Sequence, residues 1–255
     1  MSSPRAIKSF GQHFLHDENI SMKIVESLMY KLSGENVLEI GPGPGALTQY
    51  LLKQKINLKL VEIDARMVQH LEKEFPETKN KIIQKDFLNI NLNEIFENDF
   101  SIVGNFPYNI SSQIIFRILS ERNKIPLMVG MFQKEVADRI SSKHGNKVYG
   151  ILSVLVQTFY EVENLFVVEA ESFTPPPKVK SAVIRLSKKE NAPHLNDEKY
   201  FFAFVKQAFS QRRKTLRNSL SGLLPKEKLH EEIFSKRAEQ LSVETFIELA
   251  NRFSK

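Results

Sequence analysis

Asn36-Val37-Leu38-Glu39-Ile40-Gly41-Pro42-Gly43-Pro44-Gly45-Ala46-Leu47-Thr48 is a short apolar run that breaks into three alternating glycines and then resumes at helical spacing. Val37, Leu38 and Ile40 read as a buried parallel strand, and Leu47, Leu51 and Leu52 as the sheet-facing stripe of a helix. Glycine permits positive φ and close approach to the main chain, and open N–H groups at a helix start favour an electron-rich or anionic group. Gly41, Gly43 and Gly45 therefore predict a nucleotide-type pocket. Gly41-x-Gly43-x-x-Ala46, with an acid about 20 residues later at Glu62, also fits a dinucleotide fingerprint. A tight turn without a ligand is the plainer alternative.

Outward from this stretch, Asn57 to Ile63 predicts a second strand carrying Glu62 near its end, and Ala65 to Phe75 a helix. Lys81 to Gln84 reads as a third strand with Asp86 just past it, and Ser101 to Gly104 as a fourth that ends in Asn105-Phe106-Pro107-Tyr108. Ser111 or Ser112 opens a helix through Glu121, Leu127 to Phe132 is a fifth strand, and Gln133 to Ser142 a further helix. This alternation predicts an α/β fold with an open, mostly parallel, doubly wound Rossmann-like sheet whose site lies at the strands' carboxyl ends. Gly150 to Gln157 suits either helix or strand. Tyr160 to Val168 and Ser181 to Leu186 alternate as sheet-edge strands do and bracket a stiff loop, Phe173-Thr174-Pro175-Pro176-Pro177-Lys178. Upstream, Arg5, Lys8 and Phe10 to Leu15 read as a functional or simply packed arm before Asp17, which caps a helix through Tyr30.

Lys188 to Asp197 is polar and aperiodic, which places a domain boundary there: residues 1–190 as a catalytic domain and 191–255 as a small all-helical one. Phe201, Phe202, Val205 and Phe209 mark its first helix, and Leu216, Leu220 and Leu223 its second. Leu229 with Ile233, and Phe246, Leu249 and Phe253, mark two more.

Of the 255 residues, 42% are hydrophobic and 26% charged, as in ordinary globular proteins. No apolar run has membrane-spanning length and residues 1–16 hold no signal segment, so a cytoplasmic protein is expected. With no cysteine and six histidines that form no H-x-x-x-H pair, no catalytic metal is expected. The net charge is +6, and residues 188–255 hold 14 Lys/Arg against 9 Asp/Glu, leaving 22 against 21 for residues 1–187. This excess suggests a polyanion partner or a solvated basic face. Its densest part is Gln211-Arg212-Arg213-Lys214-Thr215-Leu216-Arg217.

The polar residues at the strand ends suit a nucleoside laid across the sheet: Glu62 to accept ribose hydroxyl hydrogens, Asp86 to accept an adenine amino hydrogen. A dehydrogenase has no task for Asp86 or Asn105-Phe106-Pro107-Tyr108, whereas an S-adenosylmethionine methyltransferase has one for both. An adenine amino nitrogen is a poor nucleophile because its lone pair is delocalised. Two acceptors on its hydrogens, the Asn105 side-chain carbonyl and the Pro107 backbone C=O, let it pyramidalise towards a sulfonium methyl. Tyr108 can stack on the base.

On these residues the chain resembles the ribosomal RNA adenine N6,N6-dimethyltransferases, the kasugamycin-sensitivity enzymes of small-subunit rRNA. The motifs in order are Phe10-Gly11-Gln12-His13-Phe14-Leu15, the Glu39-to-Gly45 turn, Glu62, Asp86, Asn105-to-Tyr108, Phe173-to-Val179 and Gln211-to-Asn218. The resemblance implies that His13, Leu15, Gly41, Glu62, Asp86 and Asn105 contact S-adenosylmethionine, with His13 where many relatives carry asparagine. It implies that Asn105, Tyr108 and Phe173 grip a flipped adenine. The implied substrate is two adjacent adenosines in a hairpin near the 3′ end of the small-subunit RNA, each methylated twice, within an assembling 30S-type particle and by a monomer. Arg212, Arg213, Lys214 and Arg217 are the expected phosphate contacts. Three other readings stand beside this one: the related large-subunit enzyme of macrolide resistance, a non-catalytic RNA-binding assembly factor, and a dinucleotide-dependent oxidoreductase.

Overall fold

A computed structural model of the chain describes residues 4–7 and 11–254; Lys8 and Phe10 of the N-terminal motif lie outside them. The elements are β1 (Phe14–Leu15), α1 (Glu18–Met29), β2 (Asn36–Ile40), α2 (Thr48–Leu51), β3 (Asn57–Val61), α3 (Ala65–Glu74), β4 (Ile82–Ile83), β5 (Ser101–Asn105), α4 (Ser111–Ser120), β6 (Leu127–Gln133), α5 (Lys134–Ser141), α6 (Ile151–Phe159), β7 (Tyr160–Val168), β8 (Phe173–Thr174), β9 (Ser181–Lys188), α7 (Glu198–Ala208), α8 (Leu216–Ser219) and α9 (Val243–Phe253). They fall into two compact units. Residues through Ala137 group with Glu163–Lys188, and Asp138–Val162 with residues from Lys189 onward.

The first unit holds the main sheet, in the order β4-β3-β2-β5-β6-β9-β7. β2 pairs in parallel with β3 and β5, β3 with β4, and β5 with β6. Strand order reverses between β2 and β5, which opens a crevice at their carboxyl ends where such sheets bind ligands. β9 enters antiparallel to β6 over the full length of that strand, Leu127↔Ser187 to Gln133↔Ser181. Of the two strands expected at the edge, only β7 lies there; β9 is internal and buried from Ser181 to Leu186. Both of its edges are thus hydrogen-bonded, as its run Ala182-Val183-Ile184 requires. Arg185, 5% exposed, is compensated by a two-bond ion pair to Glu163 at 2.9 and 2.7 Å, as a buried cation needs.

α1 begins at Asp17, whose Oδ1 accepts from Ile20 N–H, and buries Ile24, Val25 and Leu28 against the sheet cluster of Val37, Val103 and Val129. α3 is capped likewise by Asp64. The helix expected after the glycines is a single turn, Thr48–Leu51, with Leu47 and Leu51 buried. A second, two-stranded ladder joins β1 to β8, Phe14↔Thr174 and Leu15↔Phe173.

The second unit is helical. Gly150 to Gln157, open between helix and strand, lies in α6, whose Leu152, Val154, Leu155 and Val156 are buried. α6, α7 and α9 pack together, with Phe204 and Phe209 meeting Phe246 at 6.4 and 5.6 Å. The Leu216-to-Leu223 helix shrinks to four residues, and the Leu229–Ile233 region forms 3-10 turns. The chain passes between the units three times, after Ala137, after Val162 and after Lys188; the single cut expected near residue 190 lies beside the third of these, and Asp138–Val162 groups with the helical unit.

Candidate active site

At the reversal of strand order lies a cavity of about 200 Å³, lined from residues 11–15, the glycine turn, Glu62, Ile63, Asp86 and Asn105 to Ile110. It brings together seven expected cofactor positions: His13, Leu15, Gly41, Gly43, Glu62, Asp86 and Asn105. Gly45 is not in the lining; a Cβ there would strike the Phe75 ring at 2.4 Å, so its role is packing.

Gly41 and Gly43 have φ of 64° and 54°, which a side chain would strain. The N–H groups of this turn are not a free anion cradle. Gly41 N–H donates to Val61 C=O at 2.9 Å, Gly43 N–H to Glu62 Oε2 at 3.1 Å and Gly45 N–H to Pro42 C=O at 2.9 Å. The turn instead offers a floor without side chains, with the Phe14 ring over Gly43.

Glu62 is 5% exposed, its Oε1 accepting from Asp64 N–H at 2.9 Å and its Oε2 from Gly43 N–H. Each oxygen keeps a lone pair for a ligand hydroxyl. Burial raises its carboxyl above the usual range against these backbone bonds. Glu39, on β2, is 1% exposed and accepts from Thr48 Oγ1 at 2.7 Å; burial, opposed by that bond, pushes it up to about 8. Read from sequence, Glu39 is only the first member of the glycine motif, yet an acid inside an apolar strand is itself the signal of a functional carboxyl. Asp64 anchors the arm: Gln12 Nε2 donates to it at 3.1 Å, and burial is outweighed by the Arg66 and Gln12 bonds, which hold it below the usual range. Asp86 accepts from Leu88 N–H at 2.9 Å and Asn89 Nδ2 at 2.7 Å, which shapes its turn. Ile63, 51% exposed, adds an apolar surface beside Glu62.

Asn105 Nδ2 donates to His13 C=O at 3.0 Å, which leaves Oδ1 without a partner among the described residues. The His13 ring stacks on Tyr108, centroids 5.2 Å apart, and its Nδ1 bonds Pro175 C=O at 2.7 Å. Tyr108 Oη meets the buried Ser181 Oγ at 2.5 Å. Pro107 departs from expectation: its C=O accepts from Ser111 Oγ at 3.1 Å and Ile110 N–H at 3.3 Å, so both lone pairs serve the start of α4. Phe106 C=O accepts no hydrogen bond among the described residues, and Phe106 lines the cavity. Phe173, expected to grip a base, is 2% exposed in the core beside Leu15 and outside the lining. Burial there explains its aromatic character without a ligand.

The basic block lies in the second unit, on turns before α8. Arg212, Arg213 and Lys214 are exposed. Arg217 is partly structural, its Nε donating to Leu229 C=O at 2.9 Å. Among the described residues no helix is long and apolar enough to cross a membrane.

The donor set fits an adenosine carrying a positive charge. A side-chain-free floor, carboxyls for hydroxyl and ammonium hydrogens, an apolar shelf and two raised acids that a cation would ionise meet in one cavity.

Comparison with known proteins agrees over the whole chain. Residues 4–255 match the family described as "Ribosomal RNA adenine dimethylase". The "Ribosomal RNA small subunit methyltransferase A" of Flavobacterium johnsoniae is 54% identical over 254 residues, 99% of this chain and 97% of that protein. The protein of the same description from Cytophaga hutchinsonii is 52% identical over 257 residues, 100% and 99% of the two. Among solved structures, a dimethyladenosine transferase from Plasmodium falciparum has a TM-score of 0.79 at 29% identity, covering 93% of this chain and 96% of that one. The 23S rRNA methyltransferase ErmE has a TM-score of 0.69 at 25% identity, covering 95% and 100%.

Proposed function

We propose how the cavity is used by a chain that belongs to the ribosomal RNA adenine dimethylase family. It is an S-adenosylmethionine-dependent methyltransferase that dimethylates N6 of adenines in small-subunit rRNA. Relatives named for the small subunit, at about half identity over the full length, favour that substrate over the large-subunit RNA named for ErmE. The cofactor supplies an electrophilic methyl group. Glu62 takes the ribose hydroxyls, Asp86 the adenine amino group, and Gly41, Gly43, His13 and Leu15 shape the floor and wall.

The carrying observation is the tether of Asn105. With Nδ2 fixed on His13 C=O, Oδ1 is preset as an acceptor for one hydrogen of the target amino group. The second acceptor is Phe106 C=O rather than the engaged Pro107 C=O. Together they draw the amino hydrogens aside and free the nitrogen lone pair, a preorganised electrostatic contribution. Tyr108 offers its ring to the extruded base, its hydroxyl held by Ser181. We place this reaction on an assembling small-subunit particle in the cytoplasm, carried out by a monomer, with Arg212, Arg213 and Lys214 positioning phosphates. Labelled cofactor incubated with unmethylated small subunits should yield N6,N6-dimethyladenosine after digestion of the RNA. Label in another nucleoside, or none, would overturn the reading.

A further inference from the structure

The second unit presents a loop, residues 142–149, that no motif identifies. Together with residues 210–217 it contains Lys143, Lys147, Arg212, Arg213, Lys214 and Arg217 and not a single Asp or Glu. The two segments are far apart in sequence but joined in space: an Arg212 Nη2–H donates to Lys147 C=O.

The loop is built rather than slack. Asn146 Oδ1 accepts from Val148 N–H at 2.8 Å, Tyr149 N–H at 3.2 Å and Ser142 Oγ at 3.0 Å, while Asn146 Nδ2 donates to Lys143 C=O at 2.6 Å. Gly145, at φ 92°, donates its N–H to Glu239 C=O at 2.7 Å. Tyr149 is buried, edge-on to His144 on one side and to Phe209 on the other, at 6.5 and 6.1 Å. Five backbone groups, Lys143 C=O, Gly145 N–H, Lys147 C=O, Val148 N–H and Tyr149 N–H, are thus engaged in holding the loop. Lys143 and Lys147 are exposed with Arg213 and Lys214, and none of the four has an ion-pair partner among the described residues.

A connector has no need to hold like charges in fixed array, because like charges brought together repel without a compensating partner. A row of phosphates supplies that partner, and neutralising it releases condensed counterions. We infer that the 142–149 loop is a second phosphate-binding element, and that Lys143 and Lys147 join Arg212, Arg213 and Lys214 in one composite surface for an RNA backbone. This rests on the reading of the chain as an rRNA methyltransferase. Arg212 has a double part in it, carrying charge and fixing the loop through Lys147 C=O.

The test uses the full chain and deproteinised, unmethylated small-subunit rRNA, with affinity measured across a KCl series. Lys143→Gln with Lys147→Gln should reduce the slope of log affinity against log salt by about 1.4–1.8, taking ~0.7–0.9 for each phosphate that is no longer neutralised. Arg213→Gln with Lys214→Gln should do the same, and Lys143→Arg with Lys147→Arg should keep the wild-type slope. Adenosylmethionine binding by calorimetry should match the wild type in all three and certifies the fold. A wild-type slope in the Lys143/Lys147 glutamine variant, when the Arg213/Lys214 variant flattens, overturns the inference. An unchanged RNA slope with weaker binding to intact subunits would assign the loop to a protein partner and likewise overturn it. Failure of the wild type itself to bind both the RNA and the intact subunit would instead strike at the parent reading, so the two failures are told apart.

Discussion

Replacing Glu39 by Gln should stabilise the cofactor-free protein at neutral pH, by an amount that grows as pH rises. The carboxyl is buried on β2 and titrates at about 8 against an ordinary 4.5. Between those values the folded chain keeps a proton that the unfolded chain has surrendered. Stability therefore stands at its full value below 4.5 and falls through the window up to 8, by about 1.4 kcal/mol per pH unit. At pH 7.5 that amounts to roughly 2–4 kcal/mol. Glutamine keeps a carbonyl for the Thr48 hydroxyl, 2.7 Å away in the wild type, and cannot ionise. Any fixed cost of burying its amide moves the whole curve without changing its slope, and Glu62, raised in the same direction, tilts both proteins alike. Urea unfolding at pH 5, 6, 7 and 8 reads the difference directly. A difference that stays constant with pH, or that shrinks towards alkaline pH, would refute the assignment of a proton to Glu39.

The Glu39 carboxyl, raised to about 8, predicts that adenosylmethionine binding releases protons between 4.5 and that value, with Glu62, raised in the same direction, adding to it; calorimetry in buffers of different ionisation heat would detect it, and a buffer-independent heat would count against it. Glu62→Ala should weaken the cofactor at least tenfold, each charge-assisted hydroxyl bond contributing about 1.5–3 kcal/mol, while an unchanged affinity in a folded variant removes Glu62 from the site. Asn105→Ala should bind rRNA normally yet lose on the order of 10²–10³ in single-turnover methyl transfer. A wild-type rate at saturating cofactor would reduce Asn105 to a cofactor ligand.

The parallel strands were legible because each is a short apolar run closed by a polar residue, and periodicity reports burial directly. β9 was harder, since its insertion between β6 and β7 is a long-range pairing and alternation alone does not tell an edge from an interior. The grouping of Asp138–Val162 with the helical unit was hidden for a similar reason: the apolar run from Gly150 fits helix and strand equally. At the site, residue types were readable but occupied valences were not. Pro107 C=O, the glycine N–H groups and Arg217 Nε all carried expectations as free groups, and each is held by a neighbour that spacing cannot reveal. Glu39 was visible as an acid in a strand, but its proton comes from desolvation, which only the packed fold supplies.

The β1–β8 ladder sets when the site comes into existence. Residues 13–15 provide the carbonyl that tethers Asn105 and the ring that stacks on Tyr108, but they are held by Phe173, Thr174 and Pro175. Residues 13–15 must therefore wait until residues 173–175 have been synthesised before the reacting face can close. Once closed, it hangs on strands of two residues each, and so short a ribbon has little stability of its own. Its hold on the rest of the fold is the burial of Leu15 and Phe173, and the departure of those two side chains from the core is the local opening expected ahead of global unfolding. Mild denaturant should extinguish methyl transfer while β2, β3 and β5 remain protected from hydrogen exchange, so loss of activity and loss of fold become two separate transitions.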